Sequence, residues 1–190
     1  MTAAHEVLDF WFGAPGTAEH GKERDLWFRK SAATDEQIRS RFGAAVESAL
    51  RGQHESWART TEGARALILL LDQFTRNIFR DTPRAFAGDA RALELARNLV
   101  ASGADRTLLP YERWFVYLPF EHSESIDAQR ESLRFFGELA AAGYPDALKW
   151  AQKHYEVIAR FGRFPHRNRI LGRASTAEEL DYLSQPGAGF

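Results

Sequence analysis

The sequence predicts an all-α protein built from antiparallel helix hairpins. Apolar residues recur at three- and four-residue spacing, as in the series Ile38, Phe42, Ala45 and Ala49, which places them on one face of a helix. Stretches rich in Gly and Pro separate such segments, and no strictly alternating run indicates a β-strand. The predicted helices are about 10 to 18 residues long with short connections, which favours a tetratricopeptide-like arrangement even though no repeat signature recurs.

Three helices are predicted in the N-terminal half. A short first helix ends at Gly13. Thr34 and Gln37 have the spacing of a capping box and predict the start of a second helix, which ends at Gly52. The segment 62–79 is apolar on nearly every side in its first half, so it is predicted to be the central, buried helix.

Capping residues and prolines place the remaining helices. The predicted starting positions are Thr82 with Pro83, Asp89, Pro110, Ser123 or Ser125, Pro145, and Ser175 or Thr176. Pro119 lacks an N–H donor and disfavours helical geometry in Leu118, so a break or kink is expected just before Glu121 and His122. Gly162 is predicted to end the helix that begins at Pro145.

Composition narrows the class of protein. Hydrophobic residues make up 44% of the chain and charged residues 27%, as in ordinary globular domains, and no linker divides it, so a single domain over residues 1–190 is predicted. The absence of cysteine excludes disulfides, thiolate metal sites and a cysteine nucleophile. A formal net charge of −1 argues against nucleic-acid binding. Without a signal peptide or a membrane-spanning apolar run in the sequence, a cytoplasmic protein with no membrane partner is expected.

Three polar segments interrupt this pattern. In the first polar segment, residues 72–80, Asp72, Arg76 and Arg80 recur at every fourth position and so line one stripe of the predicted central helix. One interpretation is structural, with an Asp72–Arg76 ion pair near the C-terminal end of a buried helix. The other is functional, because two arginines share a single acid within the segment and a buried unpaired arginine is unfavourable.

The second polar segment, residues 119–125, lies at the predicted helix junction. Glu121 and Glu124 supply carboxylates and His122 an imidazole that titrates near neutral pH, so acid–base chemistry or a metal site is chemically possible. Acids in the first turn of the next helix offer a structural explanation, which suits Glu124 better than the adjacent Glu121 and His122.

The third polar segment, residues 160–173, contains five arginines, one histidine and no acid. The guanidinium groups of Arg163 and Arg167, with His166 between them in sequence, are well shaped to hold a carboxylate or phosphate. Equally, these arginines can pair with the acids of the first and second polar segments and fix the loop in place. The sequence alone does not decide between anion binding and a structural ion-pair network.

Several of these stretches resemble a known bacterial family, the domain-of-unknown-function family 924. The similar stretches are Val7–Gly13, Leu70–Arg80, Pro83–Phe86, Tyr117–Glu124, Arg160–Asn168 and Leu171–Arg173. One departure is Thr75, where the family pattern has Pro, so the helix is expected to continue more smoothly there. The resemblance implies a helical, tetratricopeptide-like fold, but it implies no activity, cofactor or catalytic residue because the family is uncharacterised.

Two functions are therefore hypothesised. The first is binding or conversion of a small anionic metabolite in one pocket formed by the three polar segments. Its predicted acid–base residues are Glu121, His122 and His166, and its predicted ligand-binding residues are Asp72, Arg76, Arg80, Arg163 and Arg167. The second is a protein or peptide interaction module in which these charges only stabilise the fold. No cofactor or metal is predicted, because the sequence has neither a Glu-x-x-His nor a His-Glu-x-x-His motif. A metal site is a further alternative, and it requires convergence of at least three among Glu121, His122, Glu124, His154 and His166.

Overall fold

The protein is entirely helical in a computed structural model that describes residues 2–189. No β-strand occurs within those residues, which confirms the predicted all-α class. None of the helices described has both the length and the apolar character that a bilayer crossing requires. Backbone contacts divide the chain into two compact units. The first extends to Arg80 and resumes over Arg84–Pro119, and the second contains Asp81–Pro83 and the residues from Phe120 onward. The single domain over residues 1–190 and the tetratricopeptide-like arrangement stay predictions.

The first unit is a helical bundle around a buried central segment. Its α-helices are α1 (Ala4–Phe12), α2 (Asp25–Phe28), α3 (Ala32–Leu50), α4 (Thr61–Ile68), α5 (Thr75–Ile78), α6 (Asp89–Ala101) and α7 (Pro110–Glu121), of which α7 ends in the second unit. Helix α4 packs against α1 and α6, and α3 packs against α5. Phe74 is fully buried between Trp11 and Phe42, with ring centroids 5.4 and 5.2 Å away. These aromatic contacts anchor the core of the unit.

Helix α3 begins earlier than the sequence predicted. Ser31 is its N-cap residue, and the Ser31 hydroxyl accepts a hydrogen bond from the backbone N–H of Thr34 at 3.2 Å. The capping box predicted from Thr34 and Gln37 is therefore wrong, because Ser31 caps the chain three residues earlier and both residues lie inside the helix.

The predicted central helix is interrupted by a π-helical turn. Residues 62–79 fold as α4, a π-helical segment over Leu69–Phe74, and α5. The hydroxyl of Thr75 donates to the carbonyl oxygen of Leu71 at 2.8 Å and lies 3.2 Å from that of Asp72. Helical geometry continues through Thr75 into α5, and this side chain bonds back to the preceding turn, where the backbone is already widened.

Two glycines allow close backbone contacts in the first unit. A Cβ atom at Gly88 would lie 2.8 Å from the Cα and Cβ atoms of Leu71 and closer still to its carbonyl oxygen. A Cβ atom at Gly63 would meet the backbone of Trp57 in the same way. Gly88 immediately precedes α6, so the absence of a side chain there lets α6 begin directly against the π-helical segment.

The second unit is built on a helix hairpin. Its helices are α8 (Ile126–Ala141), α9 (Pro145–Phe161) and α10 (Ala177–Leu183). Only three residues connect α8 to α9, and these two helices pack along each other as the predicted hairpin. Val157, Ile158 and Phe164 form a small buried core beneath α9 and the loop that follows it.

The predicted helix ends of this unit are largely confirmed. Ser125 is the N-cap of α8, Pro145 occupies the first turn of α9, and Gly162 ends α9 with a left-handed φ of 68°. Thr176 and Glu179 form the capping box of α10, the second of the two alternatives considered.

Pro119 does not break its helix. Helix α7 continues through Pro119 to Glu121, so a break at the proline is wrong, whereas a kink there stays a prediction. The helix ends at Glu121, which confirms that Glu121 and His122 lie at a helix junction. Only two helical residues follow the proline, and the side-chain amide of Gln129 then donates to the carbonyl oxygens of Glu121 (2.6 Å) and Ser123 (2.7 Å). These bonds satisfy carbonyl groups that a helix end leaves without intrahelical donors.

Candidate functional site

The first polar segment lies on the π-helical turn and α5. Asp72 is completely buried, and its carboxylate is 3.0 Å from Nη1 of Arg76 and accepts a 2.6 Å hydrogen bond from the amide of Gln73. The predicted Asp72–Arg76 ion pair is therefore present. A buried carboxylate needs such partners because burial otherwise disfavours its charge.

Arg76 has a second acidic partner. Its Nη1 and Nη2 atoms donate to the two carboxylate oxygens of Asp89 at 2.7 and 2.9 Å. Burial would lower the pKa of Arg76, but Asp72 and Asp89 outweigh it and raise that pKa above its usual value. Asp89 was predicted to cap α6, but it is the first residue of that helix, and Gly88 is the N-cap. The aspartate is oriented toward Arg76, so this end of α6 is fixed by an ion pair.

Arg80 is paired in the same bidentate manner with Asp35 on α3. Nε and Nη2 of Arg80 donate to the Asp35 carboxylate at 2.9 and 2.8 Å, and the amide of Asn77 adds a 2.7 Å bond. Burial alone would raise the pKa of Asp35, but the hydrogen bonds from Arg80 and Asn77 hold it below the usual value. Both arginines of the first polar segment thus join helices of the first unit, through two aspartates that the structural interpretation did not name.

The second polar segment contributes a buried carboxylate–imidazole pair in the second unit. Oε1 of Glu121, at the end of α7, lies 3.2 Å from Nδ1 of His154 on α9. Both residues are at most 5% exposed. His154 is a hydrogen-bonded core residue, because its Nδ1 also lies 2.9 Å from the carbonyl oxygen of Trp150.

This geometry assigns the tautomer of His154. A carbonyl oxygen can only accept, so the proton resides on Nδ1 and is directed at Trp150 and Glu121, and a neutral ring then carries its lone pair on Nε2. Burial, together with the nearby His122 and Arg167, lowers the pKa of His154 to about 3. The ring is consequently neutral at physiological pH, with an acceptor nitrogen held in a defined orientation.

Phe164 brings the third polar segment to this pair. The ring of His154 meets the Phe164 ring edge-on at 5.6 Å, His166 lies 5.5 Å from the same ring, and the guanidinium of Arg167 stacks over it at 4.4 Å. The ring of His122 is 6.2 Å from that of His154. We call Glu121, His122, His154, His166 and Arg167 the histidine–arginine cluster.

The guanidinium of Arg167 disfavours protonation of the imidazoles in this cluster. Burial and the neighbouring Arg167 lower the pKa of His166 to about 4, and His122 and Arg173 add to that effect. His122 and His166 are only partly buried, whereas Arg167 is buried. The cluster therefore combines neutral imidazoles with a buried guanidinium, and two of its rings reach solvent.

Two ion pairs hold the loop that carries the cluster. Arg173 donates to both oxygens of Glu124 at 2.7 and 2.9 Å, and Glu124 also accepts the backbone N–H of Phe164 at 2.8 Å. Arg163 donates through Nε and Nη2 to both oxygens of Glu179 at 2.6 and 2.7 Å. Arg163, predicted to bind a ligand, is thus committed to a carboxylate of α10.

The structure places the predicted site residues in two groups. Asp72, Arg76 and Arg80 belong to the first unit. The others, Glu121, His122, Arg163, His166 and Arg167, belong to the second unit. Their convergence on a single pocket stays a prediction. Among the described residues, no three acidic or histidine side chains are arranged to hold a metal ion.

The lowered histidine pKa values predict a specific pH dependence of stability. An unfolded chain takes up protons near the usual histidine pKa of 6.5, whereas folded His154 and His166 stay neutral until about pH 3 and 4. The free energy of unfolding should therefore fall as the pH decreases from about 6.5 to about 4.5, before carboxylates titrate. Urea unfolding at several pH values measures this slope, and His154→Gln should reduce it. The exposed control variant, His5→Gln, should leave this slope unchanged. An unchanged slope in His154→Gln would contradict the lowered pKa of His154.

These features define a helical protein in which charged residues form ion-pair networks and a partly buried histidine–arginine cluster. The chain belongs to the family described as "Bacterial protein of unknown function (DUF924)", whose model matches residues 7–187, which confirms the resemblance seen in the sequence. It is similar to the solved structure of a protein of unknown function from Agrobacterium tumefaciens, with 39% identity, a TM-score of 0.84, and 95% of this chain and 96% of that chain covered. No curated protein matches the chain. Neither relative has an assigned function, so function is argued from the geometry.

Sequence reasoning missed the acidic partners more than the basic residues. Asp35 and Glu179 are far in sequence from Arg80 and Arg163, and nothing in a single sequence pairs them. Sequence patterns also did not predict the contact of His154 with Glu121 or the packing of several site residues on the ring of Phe164. The spacing of His154 and Trp150, four residues apart on α9, was the one available signal.

Proposed function

We propose that the second unit binds a small carboxylate or phosphate anion at the histidine–arginine cluster and takes up a proton when it does so. The observation that supports this is the grouping of His154, His166 and Arg167 around the single ring of Phe164. Cationic and potentially cationic groups this close lower one another's proton affinity, as the depressed pKa values of both histidines indicate. An anion placed among them would reverse that effect.

The residues then divide into three roles. Arg167 supplies permanent charge, since a guanidinium is protonated at all relevant pH values. His122 and His166, which are partly exposed, exchange protons with the ligand or with solvent. Glu121 orients His154 through the Nδ1 contact, so that the imidazole presents Nε2. In this proposal Arg163 has a structural role through its ion pair with Glu179.

Sulfate binding tests the proposal, because sulfate resembles phosphate and does not itself titrate near neutral pH. Isothermal titration calorimetry at pH 5 should show tighter binding than at pH 7, with ionic strength held constant by sodium chloride. Arg167→Gln should weaken binding about tenfold or more, the scale expected when a charge-assisted hydrogen bond is lost. His166→Asn should reduce the difference between the two pH values.

A neighbouring residue provides the matched control. Arg169 is exposed and two positions from Arg167, so Arg169→Gln removes the same charge outside the cluster and should leave sulfate binding within twofold. Equal weakening by both arginine variants would show nonspecific attraction, and the absence of any sulfate binding would overturn the proposal.

The interaction-module hypothesis has its own supporting observation in the first unit. Phe28 is 52% exposed although it packs against Trp114, with ring centroids 5.6 Å apart. Trp27 and Tyr111 extend this aromatic surface, with ring centroids 5.0 Å apart. Exposed aromatic surface is typical of protein interfaces, so a peptide-binding role is the second candidate should no anion bind.

A further inference from the structure

A cavity of about 300 Å³ lies within the first unit, and it is lined by groups that the proposed anion site does not use. Helix α1 contributes Leu8 and Phe12, which are four residues apart and form an apolar wall. The exposed side chains of His5 and Glu62 also line the cavity, so it opens to solvent on their side. A volume of this size suits a small molecule.

Two acidic groups in this cavity are uncommitted. Asp9, one turn after His5 on α1, is half-buried, and its carboxylate makes no hydrogen bond or ion pair with any part of the chain that the structure describes. Glu62, at the start of α4, is exposed, and its carboxylate likewise makes no hydrogen bond or ion pair with the described residues. Most other half-buried acids of the described residues are paired, so Asp9 differs from them in having its carboxylate available to a ligand.

The remaining charged groups on the wall neutralise each other. Arg65 on α4 forms an ion pair with Glu112 on α7, and Glu112 also accepts the backbone N–H of Leu109 at 3.0 Å. With this pair balanced, the charge of the cavity at neutral pH comes from Asp9 and Glu62 and is negative.

The histidine of the loop after α1 adds a further acceptor. Nδ1 of His20 lies 3.0 Å from the carbonyl oxygen of Gly13, so Nδ1 carries the proton and donates to that oxygen. The neutral ring then has its lone pair on Nε2. The orienting bond depends on Gly13, whose left-handed φ of 80° ends α1 and turns the chain into this loop.

We propose that this cavity binds a small organic cation, a primary alkylamine or diamine. Its ammonium group donates hydrogen bonds to the carboxylates of Asp9 and Glu62 and to Nε2 of His20, all of which are acceptors. Its methylene groups pack against Leu8 and Phe12. An ammonium ion has three donors and no acceptor, which complements a site that offers acceptors beside an apolar wall.

Isothermal titration calorimetry of the full chain with 1,4-diaminobutane at pH 8 tests the proposal. Wild type should bind, Asp9→Asn should bind about tenfold more weakly, and Glu62→Gln should bind more weakly as well. Both substitutions keep the shape of the side chain and remove no bond of the folded chain, and unchanged melting temperatures would verify folding. Asp181→Asn, an exposed carboxylate on α10 outside the cavity, is the control and should bind like wild type.

Three results would overturn the proposal. They are the absence of diamine binding to wild type, equal binding by wild type and Asp9→Asn, and binding of magnesium or zinc ions in place of the diamine with the same dependence on Asp9 and Glu62. Sulfate serves in none of these measurements, so the outcome is independent of the anion site in the second unit.

Discussion

Replacing Gly88 by alanine should lower the free energy of unfolding by about 3 kcal/mol, the upper range for overpacking. The added Cβ atom would lie 2.8 Å from Cα and Cβ of Leu71 and closer to its carbonyl oxygen, all in the buried π-helical segment. Backbone atoms held in a packed segment cannot move aside as a flexible side chain can. The φ of Gly88 is −94°, so the effect comes from close approach and not from backbone strain.

Gly43→Ala is the matched control for this measurement. Gly43 lies inside α3, and a Cβ atom there would meet nothing within 4 Å. Alanine should therefore raise the free energy of unfolding by about 0.5 to 1 kcal/mol, because it is the better helix former. Urea unfolding of both variants measures the two changes. A Gly88→Ala protein as stable as wild type would show that α6 does not pack on the π-helical segment as described.

Glu179→Gln should destabilise the second unit by about 2 kcal/mol at pH 7, because a buried charged acceptor loses several partners. Glu179 is 2% exposed, and it accepts hydrogen bonds from Arg163 and from the backbone N–H of Thr176. The amide of Asn168 lies 3.3 Å from the same carboxylate. This one side chain thus joins α10 to the loop that carries the histidine–arginine cluster.

The pH dependence of the same variant provides a second readout. Hydrogen bonding from Arg163, together with the backbone N–H of Thr176, lowers the pKa of Glu179 from its usual 4.5 to about 2. Its contribution to stability is therefore complete above pH 4.5 and is lost as the pH falls from there toward 2. The difference between wild type and Glu179→Gln should narrow over that range. Glu178→Gln, which removes an exposed ion pair with Arg160, should change stability by less than about 0.5 kcal/mol.

The helical class and most helix ends of the second unit were predictable because local chemistry determines them. Pro145 and Gly162 bound α9 through fixed backbone preferences, and Thr176 with Glu179 forms a local capping box. The predictions of helix ends failed where an interaction with a residue distant in sequence replaced the local capping bond. The helix end after Pro119 is satisfied by Gln129 from another helix, and Asp89 turns to Arg76 and does not cap α6.

The basic residues of the candidate site were predictable, and its acidic residues were predictable only in part. The pair of Arg173 with Glu124 joins the third polar segment to an acid of the second, as one of the two open interpretations allowed. Glu179, the partner of Arg163, lies outside all three polar segments, and nothing in the sequence pairs the two. The residues that pack together in the buried part of the site were equally unpredictable from sequence. Phe164 looks like any core aromatic in sequence, yet its ring contacts His154, His166 and Arg167 together.

The pKa of His166 measured with and without sulfate tests the proposed anion site most directly. Nitrogen-15 NMR of the imidazole follows the protonation of this one ring as the pH is changed. Without ligand the pKa should be about 4, and saturating sulfate should raise it by one unit or more, because a bound anion favours the charged ring. A His166 pKa that does not change when sulfate is present at saturating concentration would contradict anion binding coupled to proton uptake at the histidine–arginine cluster.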